Sequence, residues 1–476
     1  MTLWNAQDAA RATGGQPVGD WQANGISIDT RSLQPGDLFI ALKAARDGHD
    51  FVAQALGQGA AAAMVSRRPE GVSEDAPLLI VADVLQGLQA LGAAGRARAR
   101  ARVIAVTGSV GKTSTKEMLR EMLSSFGTTH TAEASFNNHW GVPVTLARLD
   151  PAAEFAVVEI GMNHPGEIEP LACLARPHVA LITAIAPAHL EAFDDIAGIA
   201  REKASIFSCL GGEAHAIYPC DLPTSPILES AARQSGAQLW PFGKTAPTLR
   251  LHDMIMTDSA LVMRAQLDKT RLAVRLTNSG PHFGMNALAC LGVAHALGLD
   301  AVRAALALGR WQPPAGRGLR EAVVLDPVED LQFTLIDDAF NANPASLAAA
   351  LDMLAVMSPG GGPSGRVGRR VAILGDMLEL GPQEVEMHRA VAEYPALAQV
   401  DLVHCVGPRM AALHAALPLS KRGRQAEKAD DLARLAHLLA APGDIVLVKG
   451  SKSSYVSRVV EGLRKLGSAT RHGKER

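Results

Sequence analysis

The stretch VIAVTGSVGKTSTKEMLREML, residues 103–123, predicts a strand, a glycine-rich loop and a helix in direct succession. Apolar residues form the strand, and Lys112 and Thr113 follow the loop at the point where helical periodicity begins. In such a loop the backbone N–H groups and the helix N-terminus bind phosphate, a lysine adds charge, and a threonine hydroxyl can bind Mg²⁺. Val106 stands where the general phosphate-loop pattern has glycine. The predicted nucleoside-triphosphate site comprises Gly108, Ser109, Val110, Gly111, Lys112, Thr113 and Thr115.

Apolar strands and helical segments alternate after this loop. Strands are predicted at residues 156–160, 179–185 and 215–219, with helical periodicity between them. Such alternation is typical of a mostly parallel sheet covered by helices. A more polar stretch at 249–276 alternates like antiparallel strands. Beyond Pro313 the strand–helix pattern resumes, with four strands predicted at 333–340, 369–376, 402–407 and 444–451. The sequence therefore predicts an α/β fold.

The chain length of 476 residues is about three times the ~150 residues of a typical domain. Residues 1–84 contain short strands and tight turns, which predict a small α/β domain. Residues 85–312 are expected to form a central phosphate-loop domain with a mostly parallel sheet, and residues 313–476 a Rossmann-like domain. The last residues, RKLGSATRHGKER, are predicted to be a frayed, solvated end.

Charge and composition exclude several classes of function. Forty-six basic against 48 acidic residues leave a net charge of -2, which gives no overall field to attract nucleic acid or an anionic membrane. The five cysteines are scattered without a CxxC, so neither a disulfide framework nor a zinc site is expected. No apolar run reaches the ~18 residues that a membrane span needs, and the start of the chain lacks the pattern of a signal peptide. We therefore expect a cytoplasmic protein without stable membrane insertion.

Two polar residues follow the predicted strands at the edge where the phosphate loop lies. Glu159 ends one strand and His189 comes just after the next. Ligands of parallel sheets bind outside the carboxyl ends of the strands, so both side chains are candidates for magnesium binding near Lys112. Lys203, considered alone, is typical of the surface of a helix.

Further motifs follow the phosphate loop along the chain: EIGMNHPGEI at 159–168, AHLEAF at 188–193, IAREK at 199–203, DDAFNANPASL at 337–347 and LGDMLELG at 374–381. Together they resemble the Mur ligases of peptidoglycan synthesis, and among these the members that add D-alanyl-D-alanine. The resemblance extends from Asp29 to Lys449. It implies ATP-dependent, ADP-forming ligation of D-alanyl-D-alanine to UDP-N-acetylmuramoyl-tripeptide through an acyl phosphate. We expect the enzyme to be a monomer.

The resemblance implies a metal site at the phosphate loop. Lys112 and Thr113 would hold the phosphates of ATP and one Mg²⁺, while Glu159 and His189 would ligate magnesium, with two ions expected. Lys203 matches the lysine that family members carry as a carbamate, which converts a cation into a carboxylate-like metal ligand. Lys112, Glu159, His189 and Lys203 are thus the expected catalytic residues.

The same resemblance implies contacts with the substrates. The expected ATP contacts beyond the loop are Asn286, Arg317, Asp337 and Asn341. The expected contacts with the UDP-linked peptide and the incoming amine are Thr30, Arg31, Asn137, Asn138, Asp338 and Phe340. Departures from the family pattern occur at Phe340, which replaces tyrosine, at Ala184 and Ala186, which replace asparagine and glycine, and at Ala44-Ala45, where one glycine is common. None of them removes a residue assigned to catalysis.

Three alternatives belong to other classes. A folylpolyglutamate-synthase-type ligase shares the phosphate loop, but its C-terminal motifs are not expected to read NANPxS or LGDMLELG. A phosphate-loop kinase or motor has no need of a carbamylated Lys203. An inactive scaffold that binds UDP-sugars is expected to lose Lys112 or Glu159, yet the chain retains both.

Taken singly, the asparagines are also typical of turns and the aspartates of strand ends. No motif distinguishes diaminopimelate from lysine as the third residue of the peptide.

Overall fold

The computed structural model describes residues 2–133, 135–187, 190–278 and 280–471. Within these ranges the chain forms three large sheets, each covered by helices, and one two-stranded sheet. The large sheets are mostly parallel, which confirms the predicted α/β class.

The first large sheet lies within residues 16–80 and has the strand order β2-β7-β6-β5-β4. β2 is antiparallel to β7, and the other pairs are parallel. Its buried aliphatic residues, such as Ile26, Leu38 and Met64, pack against the long helix α3. The strands of this unit are β1 (Trp4–Asn5), β2 (Gln16–Val18), β3 (Gln22–Ala23), β4 (Gly25–Ser27), β5 (Asp37–Ile40), β6 (Ala62–Val65) and β7 (Leu78–Ile80), and its helices are α1 (Ala6–Thr13), α2 (Val52–Gly57) and α3 (Val84–Arg98).

The central sheet has the order β16-β15-β14-β13-β12-β11-β8-β10-β9. Strands β8 to β13 pair in parallel, whereas β14, β15 and β16 form the predicted antiparallel extension. Its strands are β8 (Arg102–Thr107), β9 (Thr129–Thr131), β10 (Phe155–Glu159), β11 (Val179–Ile182), β12 (His215–Pro219), β13 (Gln238–Gly243), β14 (Leu249–Met256), β15 (Leu261–Leu267) and β16 (Thr270–Leu276). The helices are α4 (Lys112–Ser124), α5 (Gly141–Ala147), α6 (Ile168–Ala175), α7 (Ile196–Ala204), α8 (Ser225–Gln234), α9 (Pro281–Ala296) and α10 (Ala301–Leu308).

Packing of this sheet fixes the phosphate loop. Met118, Leu119 and Met122 lie on one face of α4 and are fully buried against the sheet. In the register of the neighbouring strands Glu159 is opposite Val106, so the end of β10 lies beside the end of β8. The carboxyl edge of the sheet therefore holds the loop and Glu159 together, as predicted.

The third sheet has the order β21-β20-β19-β22-β18-β17-β23. The four predicted strands correspond to β18, β19, β20 and β22, which form its parallel part together with β21, while β17 and β23 add antiparallel pairs. The sequence interpretation missed β17, β21 and β23. The strands are β17 (Leu319–Asp326), β18 (Leu331–Asp338), β19 (Arg370–Gly375), β20 (Leu402–Val406), β21 (Arg422–Ala426), β22 (Ile445–Lys449) and β23 (Ser468–Arg471), and the helices are α11 (Pro344–Val356), α12 (Glu384–Ala390), α13 (Met410–Ala416), α14 (Ala429–Ala433) and α15 (Ser457–Arg464). The prediction of a frayed end is wrong for residues 468–471, because β23 gains backbone hydrogen bonds from β17.

Two expectations about the whole chain can be compared with this architecture. The structure pairs Cys173 on α6 with Cys209 in a single disulfide, which the sequence analysis did not anticipate when it expected no disulfide framework. The two residues are 36 positions apart in sequence, but their Cα atoms lie 5.2 Å apart because α6 packs against the short helix that follows α7. Across the described ranges, no helix is both long enough and apolar enough to span a bilayer.

Candidate active site

The loop after β8 can take its path only because two of its residues are glycine. Gly108 has φ 152° and Gly111 has φ 84°, in the region that side chains disfavour. A Cβ at position 108 would lie 2.0 Å from Thr183 Oγ1, and one at position 111 would lie 2.9 Å from Asn286 Oδ1. The N-terminus of α4 follows immediately at Lys112. The local structure is therefore the anion-binding strand, loop and helix that the sequence predicts.

Lys112 is anchored to the loop that it follows. Its Nζ donates a hydrogen bond to Gly108 O at 2.7 Å. Burial lowers the pKa of Lys112, while the charge of Glu159 opposes that shift. This arrangement places a desolvated positive group beside the backbone N–H groups of the loop, where its attraction for a phosphate is stronger than in water.

Glu159 ends β10 and is almost fully buried, at 2% exposure. Its Oε1 accepts hydrogen bonds from Asn137 Nδ2 at 2.8 Å and from Thr113 Oγ1 at 3.3 Å. Its Oε2 is also buried and has no hydrogen-bond partner among the described residues. A buried carboxylate oxygen without a partner is costly unless a ligand takes it, and a carboxylate next to a hydroxyl suits a hard divalent cation. The residues present therefore fit Mg²⁺.

Two further residues, His189 and Lys203, are predicted metal ligands. His189 lies outside the described residues, so its magnesium contact stays a prediction. Lys203 is 1% exposed on α7 and does not line the cavity described below. Burial, and then the charge of Lys112, lower the pKa of Lys203 well below its usual range. Among the described residues no cluster of three or more His, Cys, Asp or Glu side chains could hold a metal ion.

The sheet and helices of residues 313–471, called the third unit, form the wall of the site that lies opposite the phosphate loop. Arg317 stacks over the Phe340 ring at 4.1 Å, and its Nη2 donates to Thr113 Oγ1 at 3.3 Å, across the two units. Lys449 Nζ donates to Asp338 Oδ2 at 2.8 Å and to Asn341 O at 3.0 Å. Burial raises the pKa of Asp338 while its ion pair with Lys449 opposes this, and burial lowers the pKa of Arg317. Both walls thus bring cations toward the phosphate loop.

Between the walls lies a cavity of about 370 Å³. It is lined by most of the residues that the sequence analysis selected, from both units. The predicted residues that line it are Ser109, Val110, Gly111, Lys112, Thr113, Asn137, Asn138, Glu159, Asn286, Arg317, Asp338, Phe340 and Asn341. The phosphate loop and the asparagines that are predicted to face the peptide therefore line one cavity.

Other predicted residues lie outside this lining. Gly108 allows the backbone turn of the loop but does not line the cavity, and Thr115 is fully buried in α4. Asp337 points into the third unit, where its Oδ2 accepts a hydrogen bond from Arg464 Nη2 at 2.9 Å. Thr30 and Arg31 lie in the first unit, and the exposed Arg31 pairs with Asp29. Their predicted substrate contacts stay predictions.

Among the cavity residues that the sequence analysis missed are His282 and Lys449. His282 lines the cavity, its Nδ1 is buried without a partner among the described residues, and burial lowers its pKa to about 4. Its position one helical turn before Asn286 was the signal that could have found it. Lys449 ends β22 opposite Asp338 on β18, so the carboxyl edge of the third sheet could have indicated it as well.

Comparisons with known proteins agree with this geometry. Three descriptions of one family match the chain: "Mur ligase family, catalytic domain" over residues 22–110, "Mur ligase middle domain" over residues 106–294, and "Mur ligase, glutamate ligase domain" over residues 325–452. A similar curated protein is the UDP-N-acetylmuramoyl-tripeptide--D-alanyl-D-alanine ligase of Escherichia coli K12, with 37% identity over 94% of this chain and 95% of that protein. The protein of the same name from Bacillus subtilis is 31% identical over 92% of this chain and 93% of its own length.

Solved structures give the same result. MurF from Acinetobacter baumannii has a TM-score of 0.82 at 30% identity and covers 97% of this chain and 99% of its own. MurF ligase from Thermotoga maritima in complex with ADP has a TM-score of 0.75 at 25% identity, over 93% and 97% of the two chains. Folylpolyglutamate synthase from Mycobacterium tuberculosis, at 18% identity and a TM-score of 0.60, shares the fold alone. Together with the phosphate loop and the cavity, these matches show that the chain belongs to the Mur ligase family.

Proposed function

We propose that this protein is an ATP-dependent, ADP-forming ligase that joins D-alanyl-D-alanine to UDP-N-acetylmuramoyl-tripeptide in peptidoglycan precursor synthesis. The observation that carries the proposal is the single cavity in which the phosphate loop faces Arg317 and the Asp338–Lys449 pair. Similarity to enzymes of that name over nearly the whole chain supports the choice of substrates. A cytoplasmic location and a monomeric state belong to the proposal.

The proposed reaction has two steps, and the cationic side chains of the cavity bind the phosphates of ATP in the first. The terminal carboxylate of the tripeptide attacks the γ-phosphorus of ATP, which gives an acyl phosphate and releases ADP. The backbone N–H groups of the loop, Lys112 and Arg317 hold the phosphates in line and balance their charge. The amine of D-alanyl-D-alanine then attacks the acyl carbon, phosphate leaves with the bonding electrons, and the nitrogen loses a proton. Because water hydrolyses an acyl phosphate, water has to be excluded from the cavity while the intermediate exists.

Magnesium fits the central wall of this cavity. Thr113 and Glu159 would hold one ion, and His189 and a carbamylated Lys203 would complete the ligands of a two-ion site. When bound, magnesium neutralises phosphate charge. Thr113 and Glu159 are oriented for this task by Arg317 and Asn137 respectively.

The carbamate on Lys203 is supported by charge and burial. Lys203 lies fully buried near Lys112, and the phosphate loop already provides positive charge. A second buried ammonium there would repel both Lys112 and Mg²⁺, whereas a carbamate would attract them. We therefore propose that Lys203 carries CO₂ in the active enzyme.

The remaining predicted contacts divide between nucleotide and peptide. Asn286 adjoins the loop at Gly111, which supports a contact with ATP. Asn137 and Asn138 precede α5 on the other side of Glu159, which supports a role toward the UDP-linked peptide. Thr30 and Arg31 of the first unit would hold the UDP moiety, and Asp337, Asn341, Asp338 and Phe340 remain proposed contacts of the third unit.

We also propose three domains, residues 1–84, 85–312 and 313–476, that close on the substrates. The residue ranges of the three large sheets support these limits, and α3, which packs against the first sheet, would connect the first domain to the central one. Closure would exclude water from the acyl phosphate. Small-angle scattering should show a smaller radius of gyration with an ATP analogue and UDP-tripeptide together, and an unchanged radius with binding confirmed would refute closure.

The test of the proposed function is a phosphate-release assay with mass detection of the ligated product. ADP formation should require UDP-N-acetylmuramoyl-tripeptide, rise with D-alanyl-D-alanine, and match the amide formed one to one. Glutamate should not replace the dipeptide, because a site built for two neutral side chains would leave an extra carboxylate without a partner. Equal use of glutamate or of a single D-alanine would refute this substrate assignment.

A further inference from the structure

The loop between β10 and α6 lines the cavity but has no part in the mechanism above. Met162, Asn163 and Glu167 contribute to the lining. Gly161 N donates to Asn137 O at 2.7 Å, so the loop is joined to the asparagines that are proposed to face the UDP-linked peptide. The loop therefore lies on the peptide side of the cavity rather than beside the nucleotide wall.

The start of α6 is held by a side chain from another helix. Glu167, in the N-cap position, makes no capping hydrogen bond, and its Oε2 accepts one from Asn163 N within the loop instead. Glu202 on α7 accepts hydrogen bonds from Gly166 N at 2.8 Å and from Ile168 N at 3.0 Å, one with each carboxylate oxygen. N–H groups at the start of a helix have no partner within that helix. Hydrogen bonds from such groups to a carboxylate are stronger than those between neutral groups, so Glu202 stabilises this end of the loop.

Glu202 directly precedes Lys203 in the sequence. Consecutive residues of a helix point about 100° apart, so α7 directs one side chain into the protein and the other toward the loop. Lys203 is fully buried, whereas Glu202 is half-buried and bound to the loop. One helix thus carries the proposed metal ligand and fixes the loop that lines the peptide side.

We propose that Glu202 is a positioning residue, whose two hydrogen bonds to Gly166 and Ile168 hold the 163–168 loop in the conformation that receives the UDP-linked substrate. This inference rests on the proposed function only for the identity of that substrate. Among the described residues, the hydrogen bonds of the Glu202 carboxylate come from Gly166 and Ile168 and not from the phosphate loop, so ATP binding should not depend on it.

The kinetic test compares Glu202→Ala and Glu202→Gln with the wild-type chain. In Glu202→Ala the KM for UDP-N-acetylmuramoyl-tripeptide should rise roughly tenfold, while kcat and the KM for ATP stay within about twofold. Glu202→Gln keeps the shape and one acceptor oxygen, so its KM should lie between those of the other two proteins. Glu169→Gln is the matched control, because Glu169 is exposed in the first turn of α6, and it should behave as wild type.

Hydrogen exchange of the free protein tests the same contact without any substrate. The segment 163–168 should exchange faster in Glu202→Ala, and the segment 108–113 should not change. A failure of the KM for the UDP-linked substrate to rise selectively, or equal losses in all kinetic parameters, would overturn the positioning role. If the wild-type protein does not consume that substrate, the proposed function fails, and unchanged exchange of the loop would separately refute the contact.

Discussion

The two walls of the cavity are built in different ways. The central wall presents backbone N–H groups and buried polar atoms that have no partner among the described residues: Ser109 Oγ, Glu159 Oε2 and Asn286 Nδ2. The wall formed by the third unit, called the third wall, contains charged side chains that already have partners, as in the Asp338–Lys449 pair. The central wall therefore offers polar atoms to a ligand, whereas the Asp338–Lys449 pair of the third wall is satisfied within the protein.

This difference predicts different consequences of mutation. Removing a group from the central wall should reduce turnover and leave the fold intact, because few protein contacts depend on it. Removing one charge of the Asp338–Lys449 pair leaves the other without its partner, which mainly lowers stability. The variants below test this division.

The largest effect is expected for Lys112→Ala. Loss of its charge from the transferring phosphoryl group should cost about 3 kcal/mol or more, a decrease in turnover of at least roughly a hundredfold. The melting temperature should hardly change. Lys244→Ala, which alters an exposed lysine of the same unit, is the control. Near-normal release of ADP by Lys112→Ala would mean that the central wall does not supply the decisive charge.

Lys203→Ala should come next. If Lys203 carries a carbamate, the variant loses a metal ligand and should be nearly inactive. Small carboxylates added to the assay should restore part of the activity by occupying the vacated position. A crystal of active, magnesium-loaded enzyme with an unmodified Lys203 ammonium would contradict the carbamate.

The third wall is tested with Lys449→Met, Asp338→Asn and the double variant. Lys449→Met leaves the Asp338 carboxylate buried without its partner, so the free energy of unfolding should fall by about 3 kcal/mol. The double variant should recover much of that loss, which a double-mutant cycle in urea would detect. Additive losses would show that the two side chains are not a coupled pair and would remove the contrast between the walls.

The sequence predicted much of the central wall because most of its residues lie close together along the chain. The residues from Gly108 to Thr113 are contiguous, and the ends of neighbouring parallel strands placed Glu159 beside them. Their positions therefore needed only the order of strands and helices. The family resemblance added Asn286 and Arg317, whose approach to the loop depends on packing between distant parts of the chain.

The third wall and its surroundings were harder to predict. Neighbouring aspartates alternate across a strand, so Asp338 faces the cavity while Asp337 binds Arg464, and the sequence alone did not decide between them. Lys449 acquires its role only through the pairing of β18 with β22. The disulfide between Cys173 and Cys209 and the strand β23 likewise depend on contacts between distant segments, which spacing in the sequence does not encode.

The smallest effect concerns acid stability in the unit behind the third wall. His404 on β20 is buried, its Nδ1 accepts a hydrogen bond from Arg424 N at 2.9 Å, and burial, with Arg369, Arg424 and His414 nearby, lowers its pKa to about 4. The unfolded chain takes up this proton near pH 6.5, whereas the folded protein does so only near pH 4. Stability should therefore decrease as the pH falls from about 6.5 to about 4. His404→Asn keeps an acceptor but cannot be protonated, so denaturant midpoints measured across that range should fall less steeply than in the wild-type chain. Equal slopes would mean that other groups carry the acid sensitivity, and that the third unit's charges, not its buried histidine, limit its stability.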